Sequence, residues 1–221
     1  MRGPTPAQRL AYAIVRGILV GFSRIYWRLS ITGKEHLPDG PYVVAPVHRS
    51  NIDTVLVAGI TTRRMRYMGK DALWKYRLPG WIISALGAFP VKRGTADRSA
   101  LRTCLEVLTQ GEPLVVYPEG GRRSGSLVGD ISEGAAYLAL RAGVPLVPVG
   151  IGGSERAMAK GSPLLRPVKT AIVIGPPIPL PAGEGAARAP RRVVHEVTGQ
   201  LRDSLQQLMD QAQAKAGVTA P

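Results

Sequence analysis

Residues 42–53 read YVVAPVHRSNID. The first part of this stretch is aromatic and β-branched, which favours a strand, and the second part is a polar turn that precedes a helical pattern. Because α/β folds place their sites at the carboxyl ends of strands, we expect His48 and Asp53 to lie at a site.

His48 and Asp53 can meet only if a helix begins between them. On one continuous helix, two residues five apart point about 140° away from each other. Ser50 is a good N-cap, and a capping box with Asp53 as the third helical residue turns its carboxylate back toward His48. Such a carboxylate orients the imidazole of a general base. The alternative is that Asp53 only caps a helix and that His48 only fills a turn.

Strand-like and helix-like segments alternate along the chain, which predicts an α/β fold with a mixed sheet flanked by helices. The predicted strands are 42–47, 65–69, 88–92, 113–117, 144–150 and 169–174. The predicted helices are 6–29, 51–59, 80–86, 96–109, 132–142 and 190–214. We therefore divide the chain into an N-terminal amphipathic helix at 1–30, one α/β domain at 31–185, a C-terminal helix at 186–216 and a tail at 217–221.

The N-terminal helix has an apolar stripe with arginines on its other side. The stripe consists of Leu10, Ile14, Ile18, Phe22 and Ile25, and the opposite side carries Arg9, Arg16 and Arg24. Its longest uncharged run, 17–23, is too short for a membrane span, which takes about 20 residues, or for a signal peptide. Two interpretations stay open, an in-plane membrane anchor and a helix packed on the protein's own core.

The charge is strongly positive, with 29 Lys and Arg against 15 Asp and Glu, or +14. Such a surface favours nucleic acid, anionic lipid or phosphorylated small molecules as partners. A second basic cluster, with only Asp71 opposing it, surrounds three aromatic residues. Its cations are Arg63, Arg64, Arg66, Lys70, Lys75 and Arg77, around Trp74, Tyr76 and Trp81. Nucleic acid is disfavoured, because the two Phe, three Trp and seven Tyr form no stacking platform and no recognition-helix pattern is present.

Few residues are left for other chemistry. Cys104 is the single cysteine, which excludes an internal disulfide and favours a reducing compartment. Its helical neighbours Leu101 and Leu105 predict a buried structural thiol rather than a nucleophile. His36, in a predicted loop, and His195, on a predicted helix, are expected to be non-catalytic. No metal-binding motif occurs, so we expect no metal.

Three later segments add to the site. Residues 87–94, GAFPVKRG, end a strand with two cations, and residues 115–125, VVYPEGGRRSG, end a strand in a glycine-rich turn. Paired glycines allow close backbone approach, and arginine forks hold phosphate groups. Residues 143–150, GVPLVPVG, predict a buried strand that lines an apolar acyl pocket.

In this order the segments resemble the glycerolipid acyltransferase family, whose members include 1-acylglycerol-3-phosphate acyltransferases. The resemblance covers roughly residues 35–180. The family's H-x-x-x-x-D, G-x-x-F/I-x-x-R, F-P-E-G-T-R-S and V-P-V blocks are similar to residues 48–53, 87–93, 117–123 and 147–149. The chain departs from the pattern at Val47, where many members have Asn, at Gly121 in place of Thr, and at Arg123 in place of Ser.

The resemblance implies a single-domain glycerol-phosphate acyltransferase-like fold and a reaction. A fatty acyl group would pass from an acyl thioester to a hydroxyl of 1-acylglycerol 3-phosphate and give phosphatidic acid, with His48 as general base and Asp53 orienting it. Glu119 would bond the acceptor or orient an arginine. The implied acceptor-binding residues are Lys92, Arg93, Glu119, Gly120, Gly121 and Arg122, with help from Arg123. No cofactor is implied beyond acyl-CoA or acyl carrier protein as the donor.

Several alternatives stay open. Glycerol 3-phosphate or another lysolipid is the alternative acceptor, and a non-enzymatic basic membrane- or nucleic-acid-binding protein is the alternative class. An acyltransferase of this kind is expected at the cytoplasmic face of the cell membrane, peripheral or monotopic, on an anionic lipid surface.

Overall fold

The computed structural model of the chain describes residues 5–91, 98–181 and 190–218. Within these ranges seven strands form one sheet. They are β1 Ser30–Thr32, β2 Val43–Pro46, β3 Arg66–Lys70, β4 Ala88–Val91, β5 Leu114–Val115, β6 Leu146–Gly152 and β7 Ala171–Ile174.

Seven α-helices surround the sheet in the same ranges. They are α1 Pro6–Tyr26, α2 Asp53–Val57, α3 Arg77–Ala85, α4 Arg98–Thr109, α5 Gly134–Ala142, α6 Ser154–Ala157 and α7 Arg191–Lys215. Short 3-10 helices occupy Lys34–His36 and Asp71–Trp74.

The sheet is mixed, in the order β1-β7-β6-β2-β5-β3-β4. The five strands from β6 to β4 are parallel, β7 is antiparallel to β6, and β1 is parallel to β7. This confirms the predicted mixed sheet flanked by helices. The predicted strands and helices match observed elements with shifted ends. The two short elements β1 and α6 were not predicted, and predicted positions 92 and 96–97 lie outside the described residues.

The direction of the crossovers divides the helices into two layers. The connections from β2 through β3 to β4 run toward one edge of the sheet, and those from β4 through β5 to β6 run toward the other. Since parallel crossovers are right-handed, α2 and α3 cover one face and α4 and α5 cover the opposite face. Helix α1 contacts α2 and α3, whereas α7 contacts α5 and β6.

The core is centred on β2 and β6, whose residues are all buried. Their uninterrupted apolar runs are typical of parallel strands covered on both faces. Helix α7 packs so closely on β6 that a Cβ atom added at Gly152 would lie 2.2 Å from the carbonyl carbon of Ala212. Glycine at this position therefore sets the distance between the helix and the sheet.

Helix α1 packs on the core through one face and exposes the other. Tyr12, Val20 and Ser23 are buried, and the Tyr12 hydroxyl accepts a hydrogen bond from the Met65 amide at 3.3 Å. All five side chains of the predicted apolar stripe are exposed: Leu10, Ile14, Ile18, Phe22 and Ile25. None of the helices in the described ranges is long and apolar enough to cross a membrane.

The basic cluster of residues 63–77 is split by the fold. Arg64 and Arg66 both lie 3.1 Å from the Glu112 carboxylate, and Arg66 is buried. The expectation that only Asp71 opposes this cluster is therefore wrong, because parallel pairing of β3 with β5 brings Glu112 beside the start of β3. Lys75 and Arg77 are exposed. The structure describes the main chain of Lys70 but not its side chain.

We expect Gly152→Ala to lower the free energy of unfolding by at least about 2 kcal/mol, because the added methyl group clashes with the backbone of α7. Gly199→Ala, on α7 with nothing within 4 Å of the added atom, is the matched control. It should raise the free energy of unfolding by about 0.5–1 kcal/mol. Urea unfolding followed by circular dichroism measures both, and an unchanged midpoint for Gly152→Ala would contradict the close packing.

Candidate active site

The turn after β2 brings His48 and Asp53 together. Asp53 Oδ2 lies 2.9 Å from His48 Nδ1 and accepts hydrogen bonds from the amides of Arg49 at 2.6 Å and Ser50 at 2.7 Å. Asp53 is fully buried. The predicted contact between the imidazole and the carboxylate is therefore present, and three donors fix the carboxylate's orientation.

The predicted helix start is wrong in detail. Helix α2 begins at Asp53, and its N-cap residue is Ile52, not Ser50. The Ser50 hydroxyl instead donates to the carbonyl of Met158 at 2.6 Å. The same hydroxyl oxygen accepts from the Ile52 amide at 3.4 Å, not from the Asp53 amide that a capping box requires. The Asp53 carboxylate still turns back and accepts from the Ser50 amide, as the capping box predicted.

His48 has one ring nitrogen engaged and a ring packed on an aromatic neighbour. Because the Asp53 carboxylate can only accept, Nδ1 carries the proton and Nε2 presents a lone pair. The imidazole stacks on the Tyr117 ring, with centroids 4.1 Å apart. The Tyr117 hydroxyl lies 3.3 Å from Thr54 Oγ1, and burial raises the pKa of this phenol, with a smaller contribution from the Asp53 charge. Tyr117 is thus a neutral platform for the imidazole.

The glycine-rich turn holds the backbone of His48. The His48 amide donates to Glu119 Oε2 at 2.7 Å, and the His48 carbonyl accepts from the Arg123 amide at 2.9 Å. Gly120 lies between these contacts at a φ of 67°, a left-handed conformation that favours glycine. The turn therefore fixes the main chain of His48 while Asp53 fixes its side chain.

A buried ion pair lies behind this arrangement. Arg49 Nη1 is 2.6 Å from Glu119 Oε1, and both side chains are almost completely buried. Arg49 Nη2 also donates to the carbonyl of Leu127 at 2.9 Å and lies 3.6 Å from the sulfur of Met209 on α7. Both Glu119 oxygens are thus engaged by the protein, which fits the role of orienting an arginine and leaves neither free for an acceptor.

Sequence reasoning assigned no role to Arg49. The available signal was its position inside an otherwise apolar and buried segment, since a buried arginine requires a buried acid. Glu119 is the acid in the adjacent turn, but its pairing with Arg49 spans 70 residues and depends on the sheet order.

An apolar cavity of about 660 Å³ borders His48 on the α4–α5 side of the sheet. Its apolar lining includes Met68, Val91, Leu101, Cys104 and Leu138. The expectation that residues 143–150 line such a pocket is wrong for this cavity, because α7 covers β6 and none of these residues borders the cavity. Gly143, Val144 and Pro145 instead border a separate cavity of about 410 Å³. The carboxyl-end loops contribute Gly120, Gly121 and Ser132 to the cavity's border.

The predicted phosphate-binding residues are only partly described. Lys92 and Arg93 lie outside the described residues. Arg122 is partly exposed, and its side chain makes no hydrogen bond or ion pair with the rest of the described chain. Arg123 is exposed, with its amide on His48. A free guanidinium therefore lies in the turn that holds the imidazole.

The other predicted roles concern single side chains. Cys104 is buried, and burial raises the pKa of its thiol to about 12, which suits a structural thiol and not a nucleophile. His36 lies in a 3-10 helix rather than a loop, with Nδ1 2.9 Å from the carbonyl of Ile174. His195 is exposed, 3.5 Å from Glu133. In the part of the chain that the structure describes, no group of three His, Cys, Asp or Glu could hold a metal ion.

Comparison with known proteins gives a consistent result. The acyltransferase family model matches residues 28–152. The 1-acyl-sn-glycerol-3-phosphate acyltransferase of Bacillus subtilis is 30% identical over 152 residues, which cover 68% of this chain and 73% of that protein. The chloroplastic LPAT1 of Arabidopsis thaliana, with the same activity in its name, is 29% identical over 160 residues, 69% of this chain and 44% of that protein.

The fold has a similar solved structure. The 1-acyl-sn-glycerophosphate (LPA) acyltransferase PlsC of Thermotoga maritima has a TM-score of 0.70 and 23% identity, covering 92% of this chain and 83% of that chain. Among the curated relatives, the chain spans about half the length of several, including 44% of the Arabidopsis protein and 54% of the Streptococcus pneumoniae one.

We expect Glu119→Ala to cost about 3–5 kcal/mol of stability, because it leaves the Arg49 charge buried without a partner. In the double variant Arg49→Met/Glu119→Ala the unpaired charge is gone, so the loss should be smaller than in Glu119→Ala alone. Urea unfolding of the two single variants and the double variant gives the coupling energy. Additive losses would show that the pair is not coupled.

Proposed function

Because the chain belongs to the acyltransferase family, we propose that it transfers a fatty acyl group from a thioester to a hydroxyl of 1-acylglycerol 3-phosphate, giving phosphatidic acid. The observation that carries this proposal is a histidine whose Nδ1 is fixed by a buried carboxylate and which borders an apolar cavity. A non-enzymatic binding protein has no use for this pairing of a base with a cavity of about 660 Å³.

The reaction needs one base, which then acts as an acid. His48 Nε2 takes the proton of the acceptor hydroxyl while its oxygen attacks the thioester carbonyl carbon. The tetrahedral intermediate collapses with cleavage of the carbon–sulfur bond, and the leaving thiolate takes the proton from Nε2. Asp53 stabilises the transient imidazolium through Nδ1 and holds its tautomer. The acyl group passes directly to the acceptor, without an acyl-enzyme.

The cavity and the turn supply binding for the two substrates. The apolar side chains of α4 and α5 suit a fatty acyl chain, since pockets for such chains are mostly apolar. Arg122, in the turn that holds His48, would pair with the acceptor's phosphate, with Lys92 and Arg93 helping from the segment after β4. Gly120 and Gly121 would let the acceptor approach the backbone closely. Glu119 acts in this scheme as a positioning residue for His48 and Arg49.

The donor is acyl-CoA or acyl carrier protein, and the proposed chemistry uses no metal or cofactor. The names of the relatives favour a lysophosphatidate acceptor over glycerol 3-phosphate or another lysolipid.

We also propose that α1 places the protein on an anionic membrane surface, at the cytoplasmic face. Its apolar stripe is exposed over its whole length, from Leu10 at 63% to Ile25 at 82%. Exposed Leu164 and Leu165 extend this surface, since the Tyr26 hydroxyl donates to the Leu165 carbonyl at 3.2 Å. An in-plane helix with an apolar stripe and basic flanks binds to lipid interfaces in this way.

His48→Ala should lower acyl transfer by at least about a hundredfold, because it removes the general base. Mass spectrometry of the products formed from one acyl-CoA and a panel of acceptors measures the reaction, the acceptor and the position together. His195→Ala, an exposed histidine on α7, is the matched control and should keep full activity. A wild-type protein that acylates no glycerol phosphate or lysolipid would exclude the proposed reaction.

Ile18→Ser should weaken binding to anionic vesicles about tenfold, because it removes one large apolar side chain from the membrane-facing stripe. Leu127→Ser is the matched control, since Leu127 is 77% exposed against 66% for Ile18 and lies outside α1. Vesicle co-sedimentation measures both variants. This pair is cleaner than deletion of residues 1–28, which would also remove buried Tyr12 and Trp27 from the core. Equal binding by the two variants would contradict docking through α1.

A further inference from the structure

A second cavity, of about 600 Å³, lies between α1 and the amino ends of β2 and β3. Four cations line it, Arg16, Arg24, Lys34 and Arg63, together with one carboxylate, Asp39. Tyr42 also lines this cavity, and the six residues from it to His48 span about 20 Å of extended chain. The basic cleft, as we call this cavity, is therefore separate from the candidate active site.

Two of the four cations are held in place by backbone carbonyls, and none of the four is neutralised by a described carboxylate. Arg63 donates to the carbonyls of Gly40 at 2.6 Å and Gly111 at 2.8 Å, and its guanidinium lies over the Tyr42 ring. Arg16 Nε donates to the carbonyl of Ala58 at 2.8 Å. Within the described ranges none of the four cations forms an ion pair. Backbone carbonyls orient Arg16 and Arg63, and because a carbonyl carries no formal charge the cleft keeps a net positive charge.

The pKa of Lys34 reflects the same excess of positive charge. Partial burial lowers the pKa of the Lys34 amine, and the nearby positive charges of Arg24 and Arg16 lower it further. An anion in the cleft would reverse this repulsion. Arginine forks are suited to phosphate, which accepts paired hydrogen bonds in their plane.

The cleft borders the exposed apolar stripe of α1. Gly17 and Gly21 line it, and Gly21 follows Ile18 by three residues and precedes Ile25 by four. Residues at these spacings are neighbours on a helix surface. When an amphipathic helix lies in a membrane with its stripe in the acyl region, its flanks lie at the depth of the lipid headgroups.

We propose that the basic cleft binds the phosphate of an anionic phospholipid headgroup in the membrane on which α1 lies. This inference rests on the proposed docking through α1 and not on the proposed acyl transfer. The adjoining apolar stripe favours a lipid over a soluble phosphate compound, because only a lipid brings both a phosphate and an apolar phase to this side of the protein. The site would fix the protein's orientation on the membrane as well as its affinity.

The test compares two pairs of substitutions in the full chain, without thioester donor. Arg24→Gln/Lys34→Gln removes two cleft cations whose side chains reach the surface of the protein. Lys75→Gln/Arg77→Gln removes two exposed cations outside the cleft. They lie at or just before the start of α3, which contacts α1 on the same face of the sheet. Co-sedimentation uses phosphatidylcholine vesicles with and without phosphatidylglycerol. We expect the cleft pair to lose about twentyfold in affinity for the anionic vesicles and the control pair much less.

A second experiment distinguishes a specific phosphate site from nonspecific electrostatic attraction to the membrane. Inorganic phosphate should release the wild-type protein from the anionic vesicles better than sodium chloride of equal ionic strength. The cleft variant should lose this difference, and Arg122→Gln should keep it. Equal losses of vesicle affinity in the two pairs of substitutions, or release that depends on ionic strength alone, would contradict phosphate binding in the cleft. Acyl transfer to detergent-dispersed acceptor should be unchanged in the cleft variant, so a failed cleft and a failed reaction are told apart.

Discussion

The buried Glu119 carboxylate accepts a hydrogen bond from the His48 amide on one oxygen and from the Arg49 guanidinium on the other. Burying either charge alone would cost several kcal/mol, so the turn that carries Glu119 and the turn that carries Arg49 are stable only together. The same contact fixes the main chain of His48. Arg49 then extends the constraint to α7 through Leu127 and Met209. The position of the imidazole is thereby linked to the packing of the C-terminal helix on β6.

This arrangement explains how a short turn can hold an imidazole rigidly. The His48 amide, carbonyl and Nδ1 are each bonded to a different residue, and its ring lies against Tyr117. A residue whose main chain and side chain are both held in this way loses little conformational freedom when a substrate binds. The remaining nitrogen, Nε2, is the one that the proposed reaction requires.

The sequence predicted the parts of the site that depend on local chain geometry. Because the strand, the turn and the capping-box spacing lie within residues 42–53, the contact between His48 and Asp53 followed from the sequence. The start of α2 did not, because the Ser50 hydroxyl is oriented by the carbonyl of Met158, 108 residues later. The acyl-pocket prediction failed for a similar reason. Which helix covers each strand and which helices border His48 depend on the strand order, and local patterns carry no information about that order.

Helix α1 shows a different limit. A single apolar stripe predicts one apolar face, which either packs on the core or binds lipid. In the structure a second face, carrying Tyr12, Val20 and Ser23, packs on the core, and its hydroxyl groups bond to backbone atoms. A face that contains such hydroxyl groups looks polar in the sequence even though it is buried. Because this face provides the contact with the core, the apolar stripe is exposed.

The crossover rule also constrains how two lipid substrates would meet. The apolar cavity lies on the α4–α5 face of the sheet, whereas α1 lies on the opposite face, so the two surfaces can communicate only around an edge. Trp27, just after α1, accepts a hydrogen bond from Thr170, next to the residue that pairs with Gly152 at the carboxyl end of β6. His48 follows the carboxyl end of β2, on the same side of the sheet as the carboxyl end of β6. Under the proposed function, an acceptor arriving along α1 and an acyl chain held in the cavity would therefore approach the imidazole from opposite sides. A base placed at the edge of the sheet can reach both, and a base on either face could not.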